Sequence, residues 1–597
     1  MPRRTLSDIL PSTYIVPMSI RFARPLWRLS VACCLMPILP GVARAQVPQR
    51  EIIACSGQVI TAIEVDTRPP FSGGDGSIIA RTGQVARKLH STTRPETVRR
   101  YLALQLGDRC DELRRAESER ILRAQPFISD ATVVAWSDGE GGVVLSATTV
   151  DEIALIVGGS VSTSSPYMRS AKVGNRNLFG SGLHAALRWE DGREFRDSYT
   201  IRITDYQFFG RPYQLSIEAG RLQIGKEWLV DASHPFLTDL QRVAWRVGAG
   251  EQDTFTRFRR PDADPVHIGV DREYLEAGGV VRIGPVGRFF LTGGSITRER
   301  VTPGDAPIRV FGGELLADTS TALMGRYTEQ RQARVNALLG VRILNFMEVT
   351  GFDALDARQD VRKGLQLGFL LGRGLKFLDT KSNEDFFASI SAYAGMGSPS
   401  AFGALELNVE GRRKGTEDNW NSVLSSGRFA LYMRPFLRHT ASTSLEWSGG
   451  WRSRVPYQVT FASHDGGLRG FRSSQTGGAR RLVLRAEDKY VWGRFRQYAT
   501  IGIAGFVDAG QIWAGDSPFG VDTPVRYSAG LGLLVAVPPR SRRLARLDFA
   551  YPINPDGKRR PEVRVTVRDF GRVFWKEPSD LRQARERSRP ASVFNWP

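Results

Sequence analysis

From about Ala154 to Phe574 the chain repeats one pattern, short runs in which apolar and polar residues alternate, separated by Gly, Pro, Asp and Asn. Leu183, Ala185, Leu187 and Trp189 share one face of such a run, opposite His184, Ala186, Arg188 and Glu190. Tyr213, Leu215, Ile217 and Ala219 oppose Gln214, Ser216 and Glu218, and Leu547, Phe549 and Tyr551 oppose Arg546, Asp548 and Ala550. A period of two predicts antiparallel strands with one apolar and one polar or small face. Between Ser56 and Glu152 the pattern differs: Val59 to Val65 reads as a strand, and Val98, Tyr101 and Leu102 have helical spacing behind the capping-box sequence Thr93-Arg94-Pro95-Glu96. Leu113, Ala116, Ile121 and Ala124 form an apolar stripe, with Glu112, Arg115, Glu119 and Arg123 at solvated positions. Ala131 to Trp136 and Val143 to Thr149 complete the order strand, helix, helix, strand, strand.

Alternation alone leaves open what lies against the apolar face, since sandwiches and propellers also alternate. Composition narrows the choice. The 597 residues are 41% hydrophobic and 24% charged, too apolar for disorder, and after the N-terminal region no apolar run approaches the roughly 18 residues of a spanning helix. Arginines crowd the polar face and aromatic residues recur near strand ends, which suits a transmembrane antiparallel β-barrel with a wet lumen. At roughly 10 residues per spanning strand the region accommodates about 16 strands, with 14 or 18 also compatible. The net charge of +20 suggests an anionic neighbour such as lipid, and its spread along the chain argues against nucleic acid.

Arg21, Arg24 and Arg28, the apolar run Leu29 to Val42 and Ala43-Arg44-Ala45 have the form of an export signal, with Met18 an alternative start. The expected organisation is therefore signal 1–45, a periplasmic α+β domain 46–152, a barrel 153–574 and a basic, proline-containing tail 575–597. Cys33 and Cys34 leave with the signal, so Cys55 and Cys110 make one possible bridge in an oxidising compartment. Such a bridge contributes on the order of 3 to 4 kcal/mol. The six histidines have no ligand spacing, and neither a metal nor a cofactor is expected.

Several motifs resemble the BamA/TamA family of outer-membrane proteins, in which periplasmic POTRA domains precede a 16-stranded barrel. The N-terminal segment is similar to one POTRA domain through Leu106-Gly107-Asp108, Glu117-Ser118 and Pro126-Phe127. Asn177-Leu178-Phe179-Gly180-Ser181-Gly182 resembles the first barrel hairpin, Gly467-Leu468-Arg469-Gly470-Phe471 the tip of the family's loop six, and Phe506-Val507-Asp508-Ala509-Gly510 its Phe-x-Asp-x-Gly strand. Alternation puts Gly502, Ala504, Phe506, Asp508 and Gly510 on the lumen face and Ile501, Ile503 and Val507 toward lipid. The resemblance implies that Arg469, with Gly470 and Phe471, is anchored in the lumen on Asp508. Two departures stand out: a single POTRA-like unit with an insertion from about Arg68 to Thr92, and a tail beyond Phe570-Gly571-Arg572-Val573-Phe574, the segment similar to the family's terminal strand. After Val563, Val565 and Val567 a bulge would be needed to turn Phe570 and Phe574 outward.

By the same resemblance the protein assists insertion or translocation of unfolded outer-membrane or secreted polypeptides. Substrate strands would join the POTRA edge, and a seam would open between strands near Ala154 to Ser162 and Glu562 to Phe570. Lipopolysaccharide and periplasmic accessory proteins are further expected partners. The alternative is a passive pore or structural barrel. No Gly-x-Ser-x-Gly elbow or Ser/His/Asp set is present, so an enzyme is not expected.

Overall fold

The computed structural model describes residues 51–71, 91–161, 168–192, 195–555, 560–569, 575–585 and 587, except positions 262, 383, 416, 417 and 497. The export signal, most of the insertion after Arg68 and the segment 570–574 lie outside the described residues.

Strands β1 (Ser56–Arg68), β2 (Arg109–Asp111), β3 (Ile128–Ser137) and β4 (Val143–Asp151) form a sheet in the order β2-β1-β4-β3. Helices α1 (Pro95–Arg99) and α2 (Glu112–Arg123) lie between its strands in sequence. β1 and β4 are parallel and β3 and β4 antiparallel, so the strand-helix-helix-strand-strand order holds, with β2 a short addition. Ile60, Val98, Ile121, Leu122, Phe127, Val133 and Leu145 form the core. One local expectation fails. Thr93 caps no helix; its amide and hydroxyl both donate to Asp151, at 2.8 and 2.6 Å, and α1 has no side-chain cap. The cap of α2 is Asp111, which accepts from the Arg114 amide at 2.9 Å.

Leu155 to Asp569 forms a closed antiparallel barrel. Among the described residues its wall has twenty strands, from Leu155–Val161 to Glu562–Asp569, because the hairpin Ile308–Phe311 and Glu314–Ala317 projects beyond the wall. This corrects the expected sixteen. The turns are tighter than assumed, as between Val243–Arg260 and Ala263–Ile283, so more strands fit in the same length. Closure leaves no unpaired edge, which a sheet in lipid requires. Wall height varies: Ala263–Ile283 and Gln330–Thr350 each run for 21 residues, whereas Leu183–Glu190 has 8.

The outer face presents Ile201, Val247, Ile296, Leu365, Ile503 and Leu531, all exposed, while the inner face buries Arg272, Glu299, Arg334, Glu410 and Asp508. Such a belt is stable only against hydrocarbon. The expected faces of the Ala499–Trp513 strand are observed, with Ala504, Phe506 and Asp508 buried and Ile503 and Val507 exposed.

The N-terminal domain sits on the hairpin turns at one barrel mouth. Arg542 is the centre of this contact: it donates to the carbonyls of Arg123, Gln125 (3.0 Å) and Ile128 (2.8 Å), and Arg543 donates to Ile153 and Pro126. Arg123 forms a two-bond pair with Asp360 at 2.9 and 2.7 Å, and Arg358 reaches Asp130. Of the positions expected to be solvated on α2, Glu112 is exposed, Arg115 and Glu119 are half-buried and Arg123 is buried. Glu117, Arg120 and Arg123 are buried and Leu113 is exposed, because the barrel covers that face and matches its charges. Arg120 bridges Glu117 at 2.8 Å and the Leu237 carbonyl at 2.8 Å, and the Thr238 hydroxyl donates to Glu117.

Two outcomes follow. Leu531→Arg, in the outward belt, should reduce stability in lipid vesicles by about 2–4 kcal/mol, read from denaturant titration. Burial alone would raise the Glu117 carboxyl, but the Arg120 guanidinium and the Thr238 hydroxyl outweigh it and hold the group below its ordinary value. A lowered carboxylate stabilises above its unfolded pKa and loses that contribution as pH falls through its folded one. The stability gap between the parent and Glu117→Gln, measured by hydrogen exchange in α2, should thus stay constant from neutral down to about pH 4.3 and close below it.

Candidate functional site

The 452–479 segment joins His439–Trp451 to Arg480–Phe495 at the mouth remote from the N-terminal domain. It is the third loop from the C-terminus at that end. The loop folds inward. Phe461, Leu468 and Phe471 pack with Val483 and Ile512 of the wall, and the Phe461 and Phe471 rings lie 5.7 Å apart. Gly470, in a left-handed turn, sits against Pro552, and Gly510 faces the Phe461 ring.

That packing delivers Arg469 to Asp508. Nε and Nη2 donate to the two carboxylate oxygens, each at 2.6 Å, and Asp508 is fully buried. The two parallel bonds fix direction as well as charge. The guanidinium also lies 3.5 Å from the centre of the Phe506 ring, stacking on the face that attracts cations.

Sequence reading did not find the rest of the cluster. Glu487 accepts from Arg469 at 3.0 Å and from Arg546 at 2.8 and 2.6 Å, and Arg546 reaches Asp548 at 2.6 Å. Two guanidinium groups thus meet three carboxylates. The available signal was strand register: Glu487 pairs with Phe506 across the sheet and Arg485 with Asp508, so Glu487 shares their inner face. Arg546 crosses the intervening strand where Gly530 and Gly532 leave a trough. A Cβ there would lie 2.5 Å from Phe506 Cζ and 2.6 Å from Asp548 Oδ1.

Asn177, Phe179 and Gly180 belong to a different place, the turn under the N-terminal domain. Asn177 donates to the Thr93 hydroxyl and accepts from the Gly182 amide, both at 2.8 Å. The Gly180 carbonyl accepts from the Arg94 amide at 2.9 Å and the Thr97 hydroxyl at 3.0 Å. A Cβ on Gly180 would stand 2.2 Å from the Thr92 carbonyl oxygen. Phe179 points outward and is exposed. Cys55 and Cys110 are joined by a disulfide, with their Cα atoms 4.8 Å apart; it ties the start of β1 to β2.

The outer edge of β3 is occupied. The Ile53 amide donates to the Ala135 carbonyl and the Ser137 amide to the Glu51 carbonyl. Glu119 accepts from the Val133 amide, Arg115 donates to the Val133 carbonyl and Arg358 to that of Ala131. Elsewhere, Glu251, Asp253 and Asp271 bring carboxylate oxygens within 4.8 Å of one another, and Glu251 already accepts from Trp228 and Lys226.

No protein-family model matches the chain, and no curated protein matches it. Among solved structures it is similar to CdiB from Escherichia coli, at 12% identity and a TM-score of 0.42 over 85% of this chain and 75% of that one. It is also similar to BamA from Haemophilus ducreyi lacking POTRA domains 1–3, at 14% identity and 0.34 over 79% and 80%, and to CdiB from Acinetobacter baumannii, at 11% and 0.37 over 85% and 72%.

Removing one partner of a buried pair strands the other and costs about 3–5 kcal/mol, whereas an exposed pair is worth under about 1. Arg469→Ala and Asp508→Ala should each release the loop, seen as faster proteolysis around Phe471, and the double variant should add little to either. Arg469→Lys should recover only part of the protection, because it keeps the charge without the planar fork. Additive single effects would mean that the two side chains do not act together.

Proposed function

We propose that the protein is a non-enzymatic bacterial outer-membrane barrel that helps insert or translocate other polypeptides. Its N-terminal domain is a POTRA-like unit in the periplasm, and the 452–479 loop enters from the cell-surface mouth. The supporting observation is the wide lumen filled by the barrel's own inward-folded loop, pinned through Arg469 and Asp508. A passive pore gains nothing from such an obstruction; a machine that opens only for a guest does. Arg469, Gly470, Phe471 and Asp508 form the anchor in this reading.

The seam in this reading lies between the first and last strands of the wall, Leu155–Val161 and Glu562–Asp569. Guests are unfolded outer-membrane or secreted polypeptides. Because the outer edge of β3 is occupied, a guest strand enters it only by displacing Glu51–Ile53 and the side chains of Arg115, Glu119 and Arg358. The aliphatic belt is the surface for outer-membrane lipid, including lipopolysaccharide, and periplasmic accessory proteins would meet the N-terminal domain.

Reconstitution in vesicles with an urea-denatured barrel protein tests this. Faster folding of the substrate than in empty vesicles, reduced in Asp508→Ala, is the expected result. Ion conductance with no effect on the substrate would make the protein a passive pore.

A further inference from the structure

The chain beyond the last strand returns into the lumen. Residues 575–585 are described, and Trp575, Leu581, Ala584 and Arg585 are buried. A short helix, α3 (Ser579–Ala584), packs Leu581 and Ala584 into an apolar cluster with Phe258, Val270, Leu424 and Tyr457. Pro578 lies against Gly466 of the inward loop, where a Cβ would stand 2.4 Å from its Cγ. Charge holds both ends: Arg481 pairs with Asp580 at 2.6 Å, and Arg585 bridges Glu577 at 2.7 Å and Glu410 at 2.9 Å.

A second set of contacts ignores side-chain identity. Arg272 Nη1 donates to the backbone carbonyls of Gln583 and Arg585, at 3.0 and 2.8 Å, and Glu299 accepts the backbone N–H of Arg587 at 2.9 Å. Arg272 and Glu299 lie 3.6 Å apart, both buried. Register makes them diagonal neighbours on the inner face, since Glu299 pairs with Tyr274 and Val301 with Arg272. One wall residue donates to carbonyls and the other accepts an amide. Those are the two groups that nearly every residue of every polypeptide carries.

We infer that the Arg272–Glu299 pair, flanked by Arg481 and Glu410, is a binding site for polypeptide main chain, and that residues 575–587 fill it as an internal ligand that closes the lumen until a guest chain displaces them. The inference rests on the polypeptide-handling function proposed above and adds to it a site and a resting occupant. Exchange is feasible because the tail meets Arg272 and Glu299 through its main chain, whose carbonyls and N–H a guest backbone also carries.

Planar-bilayer conductance tests the site without any transport assay. A chain ending at residue 574, and full-length Arg272→Gln as an independent variant, should each conduct about threefold or more above the parent, since a plugged lumen conducts less than an open one. A synthetic peptide of residues 575–587 should lower the conductance of the shortened chain again, and a scrambled peptide of the same composition should do so more weakly. Parent-level conductance in both variants, each migrating as a folded barrel, overturns the inference. Block by the native peptide alone overturns the main-chain site as well, because the wall would then be reading side chains. Opening and block without substrate folding in the vesicle assay would leave the plug standing and remove the function on which it was built; substrate folding with no opening would do the reverse.

Discussion

Hydrocarbon offers no hydrogen bonds, so a sheet that enters it must pair every amide within itself, and the only sheet that does so is one whose last strand meets its first. Most of this protein follows from that closure. Twenty strands in a ring enclose far more space than wall side chains can fill. The inner positions, relieved of contact with lipid, carry charge. Charged walls in turn attract segments able to match them: Asp508 and Glu487 receive Arg469 from the long loop, and Glu410 receives Arg585 from the tail. Inner-face chemistry is thus a set of docking points for the chain's own loose ends.

The same logic governs the domain contact. Hairpin turns at the barrel mouth expose carbonyls and charged residues that need partners once covered. Arg542 and Arg543 supply donors to the domain backbone, and the Asn177 turn supplies acceptors and a close approach at Gly180. The contact is mainly polar, with Leu237 and Tyr206 of the barrel packing against the domain core and the Tyr206 ring 6.2 Å from that of Phe127. Polar interfaces of this kind hold geometry without the large apolar area of an obligate interface.

What the chain revealed in advance, and what it hid, divide along one line. Period-two alternation is a local property, so the lumen position of Phe506 and Asp508 and the outward position of Val507 were legible from the residues. Strand number was not, because a turn of two residues between long strands leaves no compositional gap. Nor was the burial of Glu117, Arg120 and Arg123: a charged helix face reads as solvated until a second body with matching charges is known. Glu487 and Arg546 were hidden among many inner-face charges that look alike without register. The tail was opaque for the same reason, since a basic stretch with prolines resembles a solvated terminus until the buried Glu410 of the wall and the half-buried Glu577 are seen to receive Arg585.

The covered edge of β3 bears on how selectively a guest could be taken up there. Glu51–Ile53 is tethered to the same sheet only a few residues before β1, so it competes at an effective concentration set by that short tether and not by its abundance in the compartment. A free strand must exceed that threshold before it is retained at all. Weak, fleeting segments of folded proteins fall below it, whereas a long unfolded strand, adding bonds beyond the few that Glu51–Ile53 makes, rises above it. Were guests taken up at this edge, the tether would convert it into a length filter.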